Sequence, residues 1–395
     1  MTEIITVTEA RAAVHDNVSA LPSTTLPLND CLGAVLAVDV PAPMSLPPFD
    51  QSSMDGYAIR FSDRLKPLAI TGESAAGSGH ILTLGEGQAI RIFTGAPLPQ
   101  KADTVVMQEK VVVNGGELVI NDDTLILEAN VRRAGAETKK GDLVLEKQSI
   151  ITPVIMGFLA GLGITQLSVF PRPKVIIIAT GNELQTAGYD LKPGQIYESN
   201  SVMLTAALQQ LGISSINAVR VKDDLESLAS VIEDALITAD LILLTGGVSV
   251  GDHDHVLAAA RLCGITQIFH KVRQKPGKPL FFGRRENKIV FGLPGNPSSV
   301  LTCFYQYVLP AIGVLTRRTL RLLAKKASLS HEFKKPEGLT QFVKARLQHE
   351  GVTILGAQES YRLSSFTQAN CLVELPQEKS FFNKGEQVLL HLLPH

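Results

Sequence analysis

The sequence predicts a multidomain α/β protein, and three observations carry that reading. The chain has 395 residues, which at roughly 150 residues per domain leaves room for two to four domains. Between Lys174 and Leu244, apolar runs alternate with helix-like segments, the pattern of a parallel sheet covered on both faces. On either side of that stretch, short strands and glycine turns take over.

The elements follow in chain order. Thr6-x-x-Glu9 reads as a capping box that opens an amphipathic helix. The segment Pro41–Pro48 carries four prolines and breaks regular structure. From Gly56 to about Leu145 the pattern is mostly β, with Gln88–Phe93, Thr104–Gln108 and Val111–Gly116 as examples. A helix-like segment, Thr152–Leu162, comes next, so the β module reads as an insertion into a helical scaffold. Lys174–Ala179 is a continuous apolar run, as expected of a strand buried on both faces. Helix-like Ser201–Leu211, strand-like Ile216–Val221, helix-like Leu225–Ile237 and strand-like Leu241–Leu244 continue the alternation. Ile289–Phe291 is a further strand, and Asn296–Phe304 a helix with Pro297 in its first turn. From about Ala327 to His395 short strands return, clearest at Phe342–Leu347 and Gly385–Leu393.

Composition narrows the function classes. Hydrophobic residues make up 45% and charged residues 19%, enough for several packed cores and against extensive disorder. Lys plus Arg number 37 and Asp plus Glu 38; a net charge of -1 argues against nucleic acid or an acidic membrane as the main partner. Cys31, Cys263, Cys303 and Cys371 are far apart and show no C-x-x-C or Cys/His metal spacing, as in a reduced cytoplasmic protein. The N-terminus lacks a signal-peptide pattern. The apolar stretch Ile151–Ile164 is too short and glycine-rich to span a bilayer, so a soluble protein is expected.

In open parallel sheets, ligands bind at the carboxyl ends of the strands. Three loops fall there: Thr180-Gly-Asn-Glu183, Thr245-Gly-Gly-Val-Ser-Val-Gly-Asp-His-Asp-His255 and Gly292-Leu-Pro-Gly-Asn-Pro297. Gly246 and Gly247 let a ligand approach the backbone, whose exposed N–H groups suit phosphate; as a plain alternative they only make tight turns. Glu183, Asp223, Asp252 and Asp254 lie at or near these ends, a carboxylate set that calls for a hard cation such as Mg²⁺ beside phosphate oxygens. Asp223 or Asp224 has a competing role as the cap of the helix starting near Leu225, and Asp252 as the cap of the next helix. His253 and His255 lack a companion ligand motif and read as non-metal residues. The run Lys271-Val-Arg-Gln-Lys275-Pro-Gly-Lys278 suits an anion such as phosphate or molybdate, or else is a solvated charged loop. In Phe49–Ala58, Asp50 and Asp55 fit either Asx turns or catalysis. No Walker A loop, H-E-x-x-H or Rossmann fingerprint is present.

With these residues in view, the chain resembles the MoeA family of molybdopterin molybdenumtransferases, which includes the E domain of gephyrin. The resemblance covers essentially the whole length. Its motifs are Pro47–Ala58, Thr94-Gly-Ala-Pro97, Thr180-Gly-Asn-Glu-Leu184, Thr245–Asp252, Lys275-Pro-Gly-Lys-Pro279 and Gly292–Pro297. The α/β stretch alone also fits the adenylyltransferase that acts one step earlier; the Ser53–Ala58 segment and the C-terminal β zone favour the metal-inserting enzyme. The resemblance implies four parts: a dimerising helical scaffold (1–45 with 142–170), an inserted β module (46–141), a three-layer, parallel-rich molybdopterin-binding α/β domain (171–320) and a C-terminal β-barrel (321–395).

It also implies an elongated homodimer with a shared active site. Catalytic roles are expected at Asp55, Thr94, Glu137, Glu183, Asp223 and Asp254, the last three holding Mg²⁺. Substrate contacts are expected from Thr180, Gly181, Ser199, Gly246, Gly247, Ser249, Gly251, Lys271, Lys275, Pro294, Pro297, Arg132, Arg346 and Ser365. Glu137 and Glu198 stand where the family favours Asp, each one methylene longer. The implied substrates are adenylylated molybdopterin and molybdate, with AMP released. The adenylyltransferase and molybdoenzyme acceptors are implied contacts, while nucleic acid and membrane are not. Because the sulfur ligands belong to the pterin, four scattered cysteines are consistent with this chemistry. The rival expectations are an adenylyltransferase that consumes ATP and a non-catalytic pterin-binding scaffold.

Overall fold

A computed structural model describes residues 4–247, 255–349 and 351–394. The chain groups into two compact units, Met1–Thr24 with Phe170–His395, and Thr25–Val169.

The first unit is built on a six-stranded sheet whose strands are β1 (Val175–Thr180), β2 (Ile216–Val221), β3 (Leu241–Thr245), β4 (Thr266–His270), β5 (Phe281–Arg285) and β6 (Lys288–Leu293). They lie in the order β2-β1-β3-β6-β5-β4. The pairs β2–β1, β1–β3 and β3–β6 are parallel, and the last two pairings are antiparallel. The parallel strands are apolar because both faces are covered, and alternate residues face different cores. Val175, Ile177, Leu241, Leu243, Ile289 and Phe291 join Leu204, Ala207 and Leu208 in one core. Ile178, Ile242, Leu244 and Val290 join Leu228, Ile232, Val256 and Ala259 in the other. Three layers result: helices, sheet, helices.

Helices covering this sheet include, in chain order, α1 (Val7–Asn17), α2 (Asn200–Gln210), α3 (Leu225–Thr238) and α4 (His255–Leu262). The expected capping box opens α1, with Thr6 N–H donating to Glu9 Oε2 at 2.7 Å and Glu9 N–H to Thr6 Oγ1 at 3.2 Å. Its Val7, Ala10 and Val14 are buried in the same core as α2, which groups this first segment with the α/β layers. A longer helix, Pro297–Leu315, is apolar enough by length and composition to cross a membrane. It is 78% buried within the protein, which makes it a core helix.

The last part of this unit is a second sheet in the order Gln274–Lys275, Thr340–Gln348, Cys371–Leu375, Gln387–Leu392, Leu323–Ser328, with Gly351–Ile354 paired to Thr340–Gln348. It curls until its ends meet, since Leu329 bridges Val352 and Ser330 N–H donates to Val352 O at 2.9 Å. The enclosed core holds Val343, Val373, Phe382 and Leu390. This is the C-terminal barrel that the family resemblance implies.

The second unit contains a six-stranded sheet in the order Thr104–Met107, Gly56–Ile59, Gln88–Ile92, Leu68–Ser74, Glu117–Ile120, Val111–Asn114. Just outside it in sequence, Val40–Pro41 pairs with Leu143–Leu145. A separate small core packs Leu28, Leu36, Leu159, Leu167 and Val169. Among the described residues expected to form a helical scaffold, Val7–Asn17 and Pro153–Gly161 are α-helices, and the short strands Thr24–Pro27, Val35–Leu36, Val40–Pro41, Leu143–Leu145 and Gln166–Phe170 lie between and beside them in sequence.

Candidate active site

Strand order determines where the site forms. β1, β3 and β6 are adjacent and parallel, so their carboxyl ends open onto one edge, and a cavity of ≈ 710 Å³ lies there. Thr180 and Glu183 line it after β1, Thr245 to Gly247 after β3, and Pro294 to Pro297 after β6. Close backbone contact holds these loops together. A Cβ on Gly246, whose φ is +87°, would lie 2.0 Å from Thr180 O, so only glycine fits.

Asn200, at the start of α2, ties the loops further. Its Nδ2 donates to Thr245 Oγ1 at 2.8 Å and to Gly295 O at 2.8 Å. Its Oδ1 is buried without a hydrogen-bond partner. The carboxylate of Glu198 accepts from the N–H (2.9 Å) and the hydroxyl of Ser201, so it secures the start of α2 while lining the cavity. Ser199 also lines the cavity.

The ambiguity over the neighbouring acids is resolved by hydrogen bonding. Asp224 caps α3 by accepting from Ser227 N–H at 2.8 Å, and that bond holds its carboxyl below the usual range. Asp223 is thereby left free of capping. Its Oδ1 accepts from the Thr180 hydroxyl at 3.3 Å, and it lies 3.4 Å from where a Cβ on Gly247 would stand. Glu183 sits over Gly181, its carboxylate oxygens 2.8 Å from a Cβ built there.

Glu183 lines the cavity over Gly181, Asp223 stands beside Thr180 and Gly247 off the lining, and the Asn200 Oδ1 is buried and unpartnered. Among the described residues no group of three or more His, Cys, Asp or Glu could hold a metal by itself. Carboxylate oxygens such as those of Glu183 and Asp223 are of the type Mg²⁺ takes, one or two together with waters and phosphate oxygens. Ser249, Gly251 and Asp254 lie outside the described residues.

The basic cluster divides. Lys278 lines the strand-end cavity. Lys275 lines a different one, of ≈ 400 Å³, with Lys334, Lys335 and Glu359. Lys271 lies off the lining; its backbone N–H donates to Leu280 O at 3.1 Å, and its carbonyl accepts from Ile5 N–H. The barrel contributes Tyr361 to the strand-end cavity, and Ser360 Oγ meets Asn296 Nδ2 at 2.9 Å. Arg346 lines a groove on the barrel with Lys325, Lys326 and His349. Ser365 is buried, and its hydroxyl donates to Ala357 O at 2.9 Å or Arg362 O at 3.1 Å, inside the loop that carries Tyr361.

In the second unit, Asp55 Oδ1 accepts from both the N–H and the hydroxyl of Thr94, each at 2.8 Å. Those two bonds, in that order, hold the Asp55 carboxyl below the usual aspartate range, and Arg91 adds to the effect. Arg132 and Glu137 line one ≈ 400 Å³ cavity with Pro47 and Gln51.

The family can now be stated from comparison. Residues 5–163 match the MoeA N-terminal region (domain I and II), residues 176–313 the probable molybdopterin binding domain, and residues 326–393 the MoeA C-terminal region (domain IV). A protein named molybdopterin molybdenumtransferase from Haemophilus influenzae is 34% identical over 403 residues, covering 99% of each chain. The chain belongs to the MoeA family. A Mycobacterium tuberculosis protein named molybdopterin molybdenumtransferase 2 is 34% identical across 97% of this chain and 98% of its own. The crystal structure of a molybdopterin biosynthesis MoeA protein from Pyrococcus horikosii superposes with a TM-score of 0.82 at 31% identity, covering 99% of both chains. In this MoeA family chain, Asn200, Tyr361 and Lys278 line the cavity without being among the site positions expected from sequence. Asn200 directly follows Glu198 and Ser199, both named from the resemblance, and Lys278 stood within the basic run. Nothing local marks Tyr361.

Proposed function

We propose that this chain is a molybdopterin molybdenumtransferase that joins molybdate to the dithiolene of adenylylated molybdopterin and releases AMP, the last step of molybdenum-cofactor synthesis. The observation that carries this reading is the strand-end cavity: three close-packed glycine-bearing loops, the carboxylate of Glu183 and one lysine line it, with Asp223 beside Thr180 and Gly247.

The diphosphate of the substrate would lie along the loops after β1 and β3, where backbone N–H groups and the absence of side chains suit phosphate oxygens. Lys278 neutralises charge at the cavity wall, and Asn200 holds the loops after β3 and β6 in register. Glu183, Asp223 and Asp254 are the side chains assigned to hold Mg²⁺, which when bound offsets charge on the diphosphate. The Thr180 hydroxyl orients the Asp223 carboxylate for that task. Tyr361 offers an aromatic face to a flat ring. We assign Asp55, Thr94, Arg132 and Glu137 to the same reaction, with Thr94 fixing the direction of the Asp55 carboxylate. The expected substrate contacts through Ser249, Gly251, Lys271, Lys275, Arg346 and Ser365 belong to this proposal, as do the four-part domain division, a homodimer and a cytoplasmic setting.

The test is direct. Purified protein is incubated with adenylylated molybdopterin, Mg²⁺ and molybdate, and AMP and active cofactor are measured. Molybdate-dependent AMP release is expected. Consumption of ATP with non-adenylylated pterin, without molybdate-dependent AMP release, would overturn the reading.

A further inference from the structure

We propose that a second cavity, between α1 and the end of the Pro297–Leu315 helix, is a binding site for a phosphate ester: an oxyanion carried on an apolar body. The cavity measures ≈ 920 Å³ and shares no lining residue with the strand-end cavity. Its walls carry Arg11, Arg317, Arg318, Arg321, His15 and His391, and no Asp or Glu lines it. Its apolar lining includes Val14, Val18, Leu320 and Leu322. This volume lies within the range that encloses a small organic ligand.

The positive charge is only partly met from within the protein. Glu374 lies behind the wall and binds Arg11 at 2.9 Å and His391 Nε2 at 2.6 Å. Asp16 meets His15 at 3.2 Å, and Arg317 lies over the Phe170 ring. Arg318 donates to the Leu211 carbonyl at 3.3 Å, and neither it nor Arg321 has an acidic partner among the described residues. Burial, then the nearby charge of Arg172, pulls Arg318 below the ordinary arginine value; a bound anion would offset that like-charge repulsion.

A second observation points to a ligand. Gln306 lines the cavity and is only 4% exposed. Arg11 donates to its Oε1 at 2.5 Å, so the amide orientation leaves Nε2 facing other partners, yet Nε2 is buried with no hydrogen-bond partner. A buried donor with nothing to donate to is unfavourable and rare. A phosphate oxygen is the kind of acceptor it lacks, and guanidinium forks match phosphate geometry. The apolar wall adds affinity only for a phosphate that carries a nonpolar group.

The test is calorimetric titration of the full chain with phenyl phosphate and with inorganic phosphate. A Lys278→Ala background weakens phosphate binding in the strand-end cavity. Phenyl phosphate is expected to bind at least tenfold more tightly than inorganic phosphate. Arg321→Ala, at an exposed position, is expected to weaken phenyl phosphate about tenfold, and Gln306→Leu to weaken it further. If Gln306→Leu does not fold, Arg321→Ala alone decides. The site is refuted if phenyl phosphate gives no binding, if the two probes bind equally, or if Arg321→Ala leaves affinity unchanged.

Discussion

The two units hold their acids in opposite ways. Asp55 is exposed and receives two short hydrogen bonds from one residue, Thr94, which fix its charge and direction without help from any ligand. Asp223 is half-buried and receives one long contact from Thr180, while its own N–H donates to Asn182 Oδ1 at 3.3 Å. A carboxylate has about four acceptor positions. Asp55 presents a group already set in place, whereas Asp223 keeps most of its positions open for a cation or water. Glu183 belongs with Asp223, since its oxygens rest over Gly181 beside the cavity. An oriented charge and an under-coordinated one serve different chemistry, and substitutions can separate them.

The largest expected effect tests the open side. Glu183→Ala should reduce AMP release about 10³-fold, the scale of losing one group that stabilises developing charge. Its melting temperature should stay near wild type, because the side chain supports no core. Near-normal turnover would remove Glu183 from the site.

The next concerns the scaffold of that side. Gly246→Ala forces a Cβ to within 2.0 Å of Thr180 O at a positive φ and should cost about 3 kcal/mol in denaturant unfolding. Unchanged stability would mean that the loops after β1 and β3 are not held against each other as described.

On the oriented side, Thr94→Val removes the hydroxyl donor and keeps the N–H. With the hydroxyl bond gone, the Asp55 carboxyl rises toward its ordinary value. A group depressed in the native enzyme is ionised above its pKa, so the acid limb of the pH–rate profile should move to higher pH. Turnover at neutral pH should fall about fivefold. An unmoved acid limb would detach Asp55 from the rate.

The smallest effect, a shift in Tm, belongs to a pair of neighbours. Asp224→Ala removes the cap of α3 and should lower Tm by about 3 °C with little change in turnover. Asp223→Ala should do the reverse, leaving Tm in place and suppressing AMP release. Identical behaviour of the two would erase the distinction that hydrogen bonding draws between them.

The legible parts of the fold were those governed by local rules. The capping box at Thr6 and Glu9, the apolar runs of β1 and β3 and the limits of α3 follow from neighbouring residues, and the structure reproduces them. Strand-end glycines likewise indicated the cavity. Positions that depend on distant contacts were less accessible. Asp223 and Asp224 are equivalent by spacing, and only the Ser227 bond tells them apart. Lys275 and Lys278 differ because the chain turns at Gly277, where φ is +83° and a Cβ would lie 2.5 Å from Cys303 Sγ. Ser365 points inward to two carbonyls of its own loop, a tertiary arrangement that composition does not reveal.

Asn200 carries one more implication, for how the protein ages. Both of its amide hydrogens are committed, one to a hydroxyl and one to a carbonyl oxygen, on loops from separate strands. Asparagine is among the thermolabile residues. Deamidation here would put a carboxylate oxygen where a nitrogen had donated, facing the Gly295 carbonyl. A change of about one mass unit would thus turn the latch into a repulsion, and stored enzyme would lose competence while its sheet and cores stayed intact.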